Sequence, residues 1–386
     1  MGKRLMALSM LGLGAVLVGL SQWPAVTALP LPQVVPTPAE QLIPTRGPAL
    51  QASGRPTGAS EAPTSPAVVP WTTVPSSTLP GLYTSRQRIG VGVPLPSFPE
   101  TSARQLNPGW YLDWQVNPGA LARQGLDYMP MIRLKGGSAS PDLDTIATVA
   151  AQRPGAVWLI GNEPDVTWQD NVTPGDYARL YHDAYVFLKK IDPGCQVAIG
   201  GVSQPTPLRL RYLEAMLDAY RRLYGTPMPV DVWNVHAFIL REEADSWGVG
   251  IPPGFSDRQG QLYEVKDHAD MAIWVNQILA FRRWMQAHGE QGKPLIISEY
   301  GILMPADYGF PVDTVQRFMV DTFDTMLNAR DPAIGYAPDG GRLVQRWCWF
   351  SLSYPEYPTG DLVRPDMRQL TPLGEVFARY VAAHSN

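Results

Sequence analysis

Residues 156–163 read Ala156-Val157-Trp158-Leu159-Ile160-Gly161-Asn162-Glu163, and Pro164-Asp165 follow. An apolar run stops at a glycine and presents an amide and a carboxylic acid side by side. A short, non-alternating apolar run is the pattern of a strand covered on both faces, as in parallel sheets. Seven more runs of this kind occur: RIGVGVPL (88–95), GWYLDWQV (109–116), YMPMIRL (128–134), QVAIGGV (196–202), VDVWNVHAF (230–238), PLIISEYG (294–301) and QRWCWFSL (345–352). Helical periodicity fills most of the intervals. In 173–191, Thr173 is the expected cap and Pro174 the first-turn residue, and Tyr177, Leu180, Tyr181, Ala184 and Leu188 recur at three- and four-residue steps. Segments 207–224, 265–288, 312–329 and 372–384 behave similarly, whereas 99–105 and 118–124 are short, weak candidates. Strand then helix, eight times, predicts an α/β fold, a (β/α)8 TIM barrel spanning 83–386. An open doubly wound sheet is the competing architecture, and the count of eight favours closure.

In such barrels the chemistry sits at the C-terminal ends of the strands. Glu163 ends the fourth run and Glu299 lies near the end of the seventh. Taken singly, either acid would serve to cap a helix or to meet solvent. Taken together, two acids at well-separated strand ends of one mouth are placed to flank a substrate. Glycoside hydrolysis needs that pair: one carboxyl protonates the leaving oxygen, and the other attacks the anomeric carbon or activates water.

The segment from Trp158 to Pro164 resembles the Asn-Glu-Pro strand-four motif of clan A glycoside hydrolases. Ile297-Ser298-Glu299-Tyr300-Gly301 resembles their strand-seven nucleophile motif. The resemblance implies a retaining mechanism with Glu163 as acid/base and Glu299 as nucleophile, the two carboxyls about 5 Å apart. It implies that Asn162 holds the sugar 2-hydroxyl, that His236 touches one of the two acids, and that Trp349 forms an aromatic floor. Trp347 should share the Trp349 face of the strand, with Cys348 on the other. Arg133, at the end of the third run, is a candidate partner that keeps Glu299 ionised. Tyr300 is a candidate substrate contact or a packing residue. The aromatic second run, Trp110-Tyr111-Leu112-Asp113-Trp114, resembles the alkali-sensitive-linkage group of β-1,3-glucanases and, more loosely, the β-xylosidase group, so Trp114 joins the candidate site. The long insertion 239–263, with Trp247 and Phe255, is expected to wall the substrate groove.

Composition supports the same class. Charged residues make up 17% of 386 and the formal net charge is −4, without a basic block, which argues against nucleic acid as a partner. Twelve tryptophans and 16 tyrosines suit a protein that grips sugar rings. Lys3 and Arg4 precede an uncharged stretch, so residues 1–28 read as an export signal or an uncleaved membrane anchor. Residues 29–80 are rich in Pro, Ser, Thr, Ala and Gly and read as an extended linker. A secreted or cell-surface monomer is expected, touching the membrane only through that anchor. The two cysteines, Cys195 and Cys348, fall on strands not expected to be neighbours, so no disulfide is expected. No GxSxG elbow is present, which disfavours a serine hydrolase; without an HExxH motif, and with the five histidines scattered, no metal and no cofactor are expected. The partner is a polysaccharide or oligosaccharide. The rival readings are a carbohydrate-binding barrel with little turnover and a different barrel enzyme, which would need a strand-end lysine or a ligand cluster.

Overall fold

The computed structural model describes residues 82–385. The segments expected at 1–28 and 29–80 lie outside the described residues. All eight apolar runs contain strand: β1 Ile89–Gly92, β2 Trp110–Leu112, β3 Asp127–Tyr128, β4 Met131–Ile132, β5 Val157–Ile160, β6 Gln196–Ile199, β7 Trp233–His236, β8 Leu295–Tyr300 and β9 Arg346–Trp349. Both β3 and β4 come from the third run, which Pro130 divides because it has no N–H to donate. The divided segment serves two neighbours, since Met129 N donates to Tyr111 O while Pro130 O accepts from Leu159 N.

The strands are parallel throughout. One sheet has the order β3-β2-β1-β9-β8-β7 and the other β4-β5-β6. The first strand therefore pairs with the last, as Gly90 faces Cys348 and Val91 faces Trp349 in register. Parallel bridges Ala198 to Val232 and Val202 to Val235 join the chain around β6 to that around β7.

The helices are α1 Ser85–Arg88, α2 Glu100–Leu106, α3 Leu143–Gln152, α4 Pro174–Ile191, α5 Pro207–Tyr224, α6 Met271–Ala287, α7 Val312–Asn328 and α8 Pro372–Ala383. Three of them start on the same device. Thr173, Thr206 and Thr371 each accept a hydrogen bond from a first-turn N–H, and a proline follows each threonine. The hydroxyl satisfies an orphan donor, an effect worth about 1 kcal/mol, and the proline is already set at helical φ. Residues 118–124 form no helix. Asn117 accepts from Gly119 N through its side chain and from Ala120 N through its carbonyl, so an Asx turn takes the place of a helical turn. Helix α3 was not anticipated, although Asp142 caps it by accepting from Thr145 N and Ile146, Val149 and Ala150 are its buried stripe.

Side-chain alternation sorts the core into two clusters. Trp110, Leu112, Met131, Leu159, Ile296 and Cys348 pack together on one face of the strands. Their sequence neighbours Tyr111, Trp158, Ile297 and Trp347 belong to the other cluster, with helical residues such as Tyr177, Phe318 and Phe323. Each fully buried large apolar side chain contributes about 1.5–3 kcal/mol. Both faces being covered is the reason the strands read as unbroken apolar runs. Cys195 and Cys348 are free and buried.

Candidate active site

The cleft opens where β5, β7 and β8 end. After Ile160 the chain turns at Gly161, at φ +90°, and Glu163 itself holds φ +41°. The turn is fastened from behind. Buried Asp170 accepts from Asn162 N at 2.8 Å, from Leu134 N at 2.9 Å and from Arg133 Nε at 2.7 Å. Glu163 N donates to Gly201 O. Gly201 is needed because a Cβ there would lie 2.4 Å from the His236 ring. These contacts leave Asn162 and Glu163 on the cleft wall.

His236, fully buried at the end of β7, lies between the two acids. Its Nδ1 is 2.9 Å from Glu163 Oε1. Its Nε2 is 3.3 Å from Glu299 Oε1, without the alignment of a hydrogen bond. One carboxylate oxygen of each glutamate and one His236 nitrogen all fall within 4.8 Å of one another. Burial pulls the His236 pKa down, but the charges of Glu299 and Glu163 outweigh burial and hold it above its ordinary 6.5, favouring the doubly protonated ring. Glu299 is pushed up to about 7, chiefly by burial and also by the Glu163 charge, against the opposing influence of His236, Trp114 and Arg133. Trp114, held at φ +57°, donates its Nε1 to Glu299 Oε1 at 2.6 Å. Two carboxylates and an imidazole are also a donor set for a divalent cation. Here, however, each ring nitrogen is turned toward a different acid, so the imidazole serves both carboxylates rather than one shared centre.

Glu299 reaches the cleft through an irregularity. The β7–β8 and β8–β9 registers both shift near the end of β8, so that His236 pairs with Glu299 and Tyr300 with Trp349. A shift of this kind re-aims a strand-end side chain beside an active site.

Two expected residues stand elsewhere. Tyr300 points to the helix side, where its hydroxyl meets Thr322 Oγ1 at 3.2 Å, because alternation carries it off the Glu299 face. Trp349 shares the Trp347 face, as expected, but that face packs on α7: both rings meet Phe323 edge-on, and Trp349 Nε1 donates to Gly360 O. The aromatic surface in the cleft is instead the next residue, Phe350. Arg133 lines the cleft, as expected, and favours the ionised Glu299 through its charge, while its hydrogen bonds go to Asp170 and Gln169. Insertion 239–263 contributes Leu240 and Val249 to the wall, whereas Phe255 packs on Tyr212.

The cleft holds a cavity of about 170 Å³. Its remaining aromatic surface comes from Trp168, Phe238, Tyr354 and Tyr357, none of which was anticipated. Phe238 closes the β7 run, which was a usable signal. Tyr354 and Tyr357 belong to a loop after β9 that has no periodicity to read.

Asp165, the last residue of the opening motif, turns away from the cleft. It accepts from Ser203 Oγ at 2.8 Å and from Arg209 Nε at 3.1 Å. Arg209, fully buried in α5, also meets Glu242 Oε1 at 3.0 Å and donates to the carbonyls of Val249 and Gly250. One guanidinium thus ties the turn after β5 to the insertion that walls the cleft.

A sequence profile described as the glycosyl hydrolase catalytic core matches residues 96–250. The chain resembles the clan A glycoside hydrolases. Among solved structures, it is similar to a GH128 subgroup II endo-β-1,3-glucanase from Pseudomonas viridiflava, with 19% identity, TM-score 0.51, and 75% of this chain and 96% of that chain covered. The corresponding enzyme from Sorangium cellulosum has 17% identity and TM-score 0.50, over 75% of this chain and 97% of that one. A GH128 subgroup III curdlan-specific exo-β-1,3-glucanase from Blastomyces gilchristii, in complex with glucose, has 17% identity and TM-score 0.50, over 77% and 99%. These likenesses establish the shared α/β fold. No protein of curated function matches the chain.

Proposed function

We propose that the protein is a retaining glycoside hydrolase that cleaves a β-1,3-glucan outside the cell. The observation that carries this reading is the approach of Glu163 and Glu299, one carboxylate oxygen of each lying within 4.8 Å of the other beside His236. Retention calls for carboxyls about 5–5.5 Å apart, whereas inversion needs room for a water and a wider gap. In this reading Glu163 protonates the leaving oxygen and Glu299 attacks the anomeric carbon. Glu163 then activates the water that releases the sugar. Trp114 and His236 favour the ionised form of Glu299 that attack requires. Asn162, only 3% exposed and with its Oδ1 unpartnered, fits a sugar hydroxyl as donor.

The linkage rests on the aromatic second strand and on the fold shared with β-1,3-glucanases. The pairing of first strand with last and the bridges beside β6 and β7 support a closed (β/α)8 barrel over 83–386. The Lys3-Arg4 segment and the Pro-rich stretch support an exported catalytic domain on a tether. The test is hydrolysis of laminarin followed by proton NMR of the first anomer formed, with Glu299→Ala as control. Initial release of the β-anomer and an inactive control are expected. Initial α-anomer would mean inversion, and activity of the control equal to the unaltered chain would remove Glu299 from the mechanism.

A further inference from the structure

Nearly every buried tyrosine of the described residues has a partner for its hydroxyl. Tyr111 donates to Leu121 O, Tyr128 to Asp113, Tyr177 to Ile160 O, Tyr181 to Pro229 O and Tyr212 to Val172 O. Tyr220 meets His182, Tyr300 meets Thr322, and Tyr380 donates to Asp324. Tyr357 is the exception. It is 5% exposed, it lines the cleft together with Glu163, and its hydroxyl has no hydrogen-bond partner. A buried polar group without a partner is costly to the fold and marks a place where something else completes the bond.

The loop around Tyr357 is held in place. Asp361 accepts from Ser353 Oγ at 3.0 Å and from Tyr354 N at 2.7 Å, and Tyr357 N donates to Tyr354 O. Gly360 O is fixed by Trp349 Nε1, and Asp361 O by Thr371 Oγ1. The Tyr357 ring lies against Tyr354 at 5.7 Å and Phe350 at 6.2 Å. The hydroxyl is therefore positioned before any ligand arrives. Burial, together with the neighbouring Tyr354 phenol and Glu163 carboxylate, resists its ionisation, so it stays a donor.

We propose that the Tyr357 hydroxyl is a substrate-binding group, donating to a sugar hydroxyl on the Glu163 side of the cleft. Asn162 Oδ1, also buried and unpartnered, offers an acceptor in the same cleft. An unpaired donor and an unpaired acceptor beside one carboxylic acid suit a ligand whose hydroxyls both give and accept. This inference rests on the glycoside hydrolase reading and adds to it a residue from the loop after β9.

The test uses Tyr357→Phe, which keeps the ring and removes only the oxygen. Affinity for laminarihexaose is measured by calorimetry in a Glu299→Gln background, with and without the change, beside kcat, KM, the pH profile and the melting temperature in the active background. The expected result is a 5- to 20-fold loss of affinity and a matching rise in KM, with the melting temperature unchanged or higher, since an unpaired buried oxygen has been deleted. Intact affinity with a lower melting temperature would overturn the proposal in favour of a structural tyrosine. Intact affinity with a displaced pH profile would overturn it in favour of an action on Glu163. If the unaltered chain neither binds nor hydrolyses the oligosaccharide, the underlying glycan reading fails, and this one with it.

Discussion

Trp114 Nε1 donates to Glu299 Oε1 at 2.6 Å across 185 residues of sequence. The indole N–H can donate but not accept, so it favours the carboxylate over the carboxylic acid. The left-handed backbone at Trp114 delivers the ring to this point, and Gly92 makes space, because a Cβ there would lie 2.7 Å from the indole.

Trp114→Phe should therefore weaken the attacking group more than the binding of substrate. A hydrogen bond to a charged group is worth about 1.5–3 kcal/mol, which corresponds to a fall in kcat of about 10- to 100-fold. Steady-state kinetics on laminarin provide the check. A rise in KM with kcat intact would make Trp114 a sugar platform instead.

The pH dependence follows from Glu299, pushed up to about 7. In the proposed mechanism only its ionised form attacks, so kcat/KM should rise as pH increases through about 7. Stability should move the other way. A carboxyl whose folded pKa lies above its unfolded value binds more protons when folded. Its contribution is complete below the unfolded value of 4.5 and is lost as pH rises through about 7. The melting temperature should fall between pH 5 and 8, and Glu299→Gln should flatten that fall. A Glu299→Gln curve parallel to the unaltered one would assign the effect to other groups.

Glu163→Ala should reduce hydrolysis of polysaccharide by about 100- to 10,000-fold, the usual range for a positioned acid. Aryl glycosides with acidic leaving groups need little protonation and should lose far less in their glycosylation step. Equal losses across a leaving-group series would remove Glu163 from the acid role.

Arg209→Met should destabilise the chain strongly. It leaves Asp165 and Glu242 buried without their shared cation. Breaking such a cluster costs about 3–5 kcal/mol, a drop of roughly 10 °C in a chain of this size. Thermal denaturation followed by circular dichroism would show it. A change below about 2 °C would mean that water reaches the two acids.

Much of the fold was legible because burial on both strand faces writes unbroken apolar runs, and each of the eight contains strand. Helices α4, α5 and α8 were legible through their Thr-Pro starts. That Glu163 and Glu299 would face one cleft was legible because strand ends and sequence motif coincide there. What stayed hidden depends on geometry that sequence spacing does not encode. Trp349 and Phe350 are adjacent, and only the local course of β9 decides which ring enters the cleft. Arg133 was legible as a cleft residue, but that it acts on Glu299 through charge alone, with its hydrogen bonds given to Asp170 and Gln169, was not. Tyr354 and Tyr357 sit in a loop whose shape is set by the Asp361 contacts.

Glu163 and Trp114 both occupy left-handed backbone, at φ +41° and +57°. Such conformations cost side-chain-bearing residues on the order of 1–3 kcal/mol each. An engineer seeking heat tolerance would be drawn to glycine or asparagine at these two sites, and would obtain a sturdier scaffold without the carboxyl and the indole that the proposed mechanism uses. On the proposed mechanism, selection for thermal robustness alone would therefore drive this molecule toward inertness, and durable variants have to be sought among solvent-facing helix positions instead.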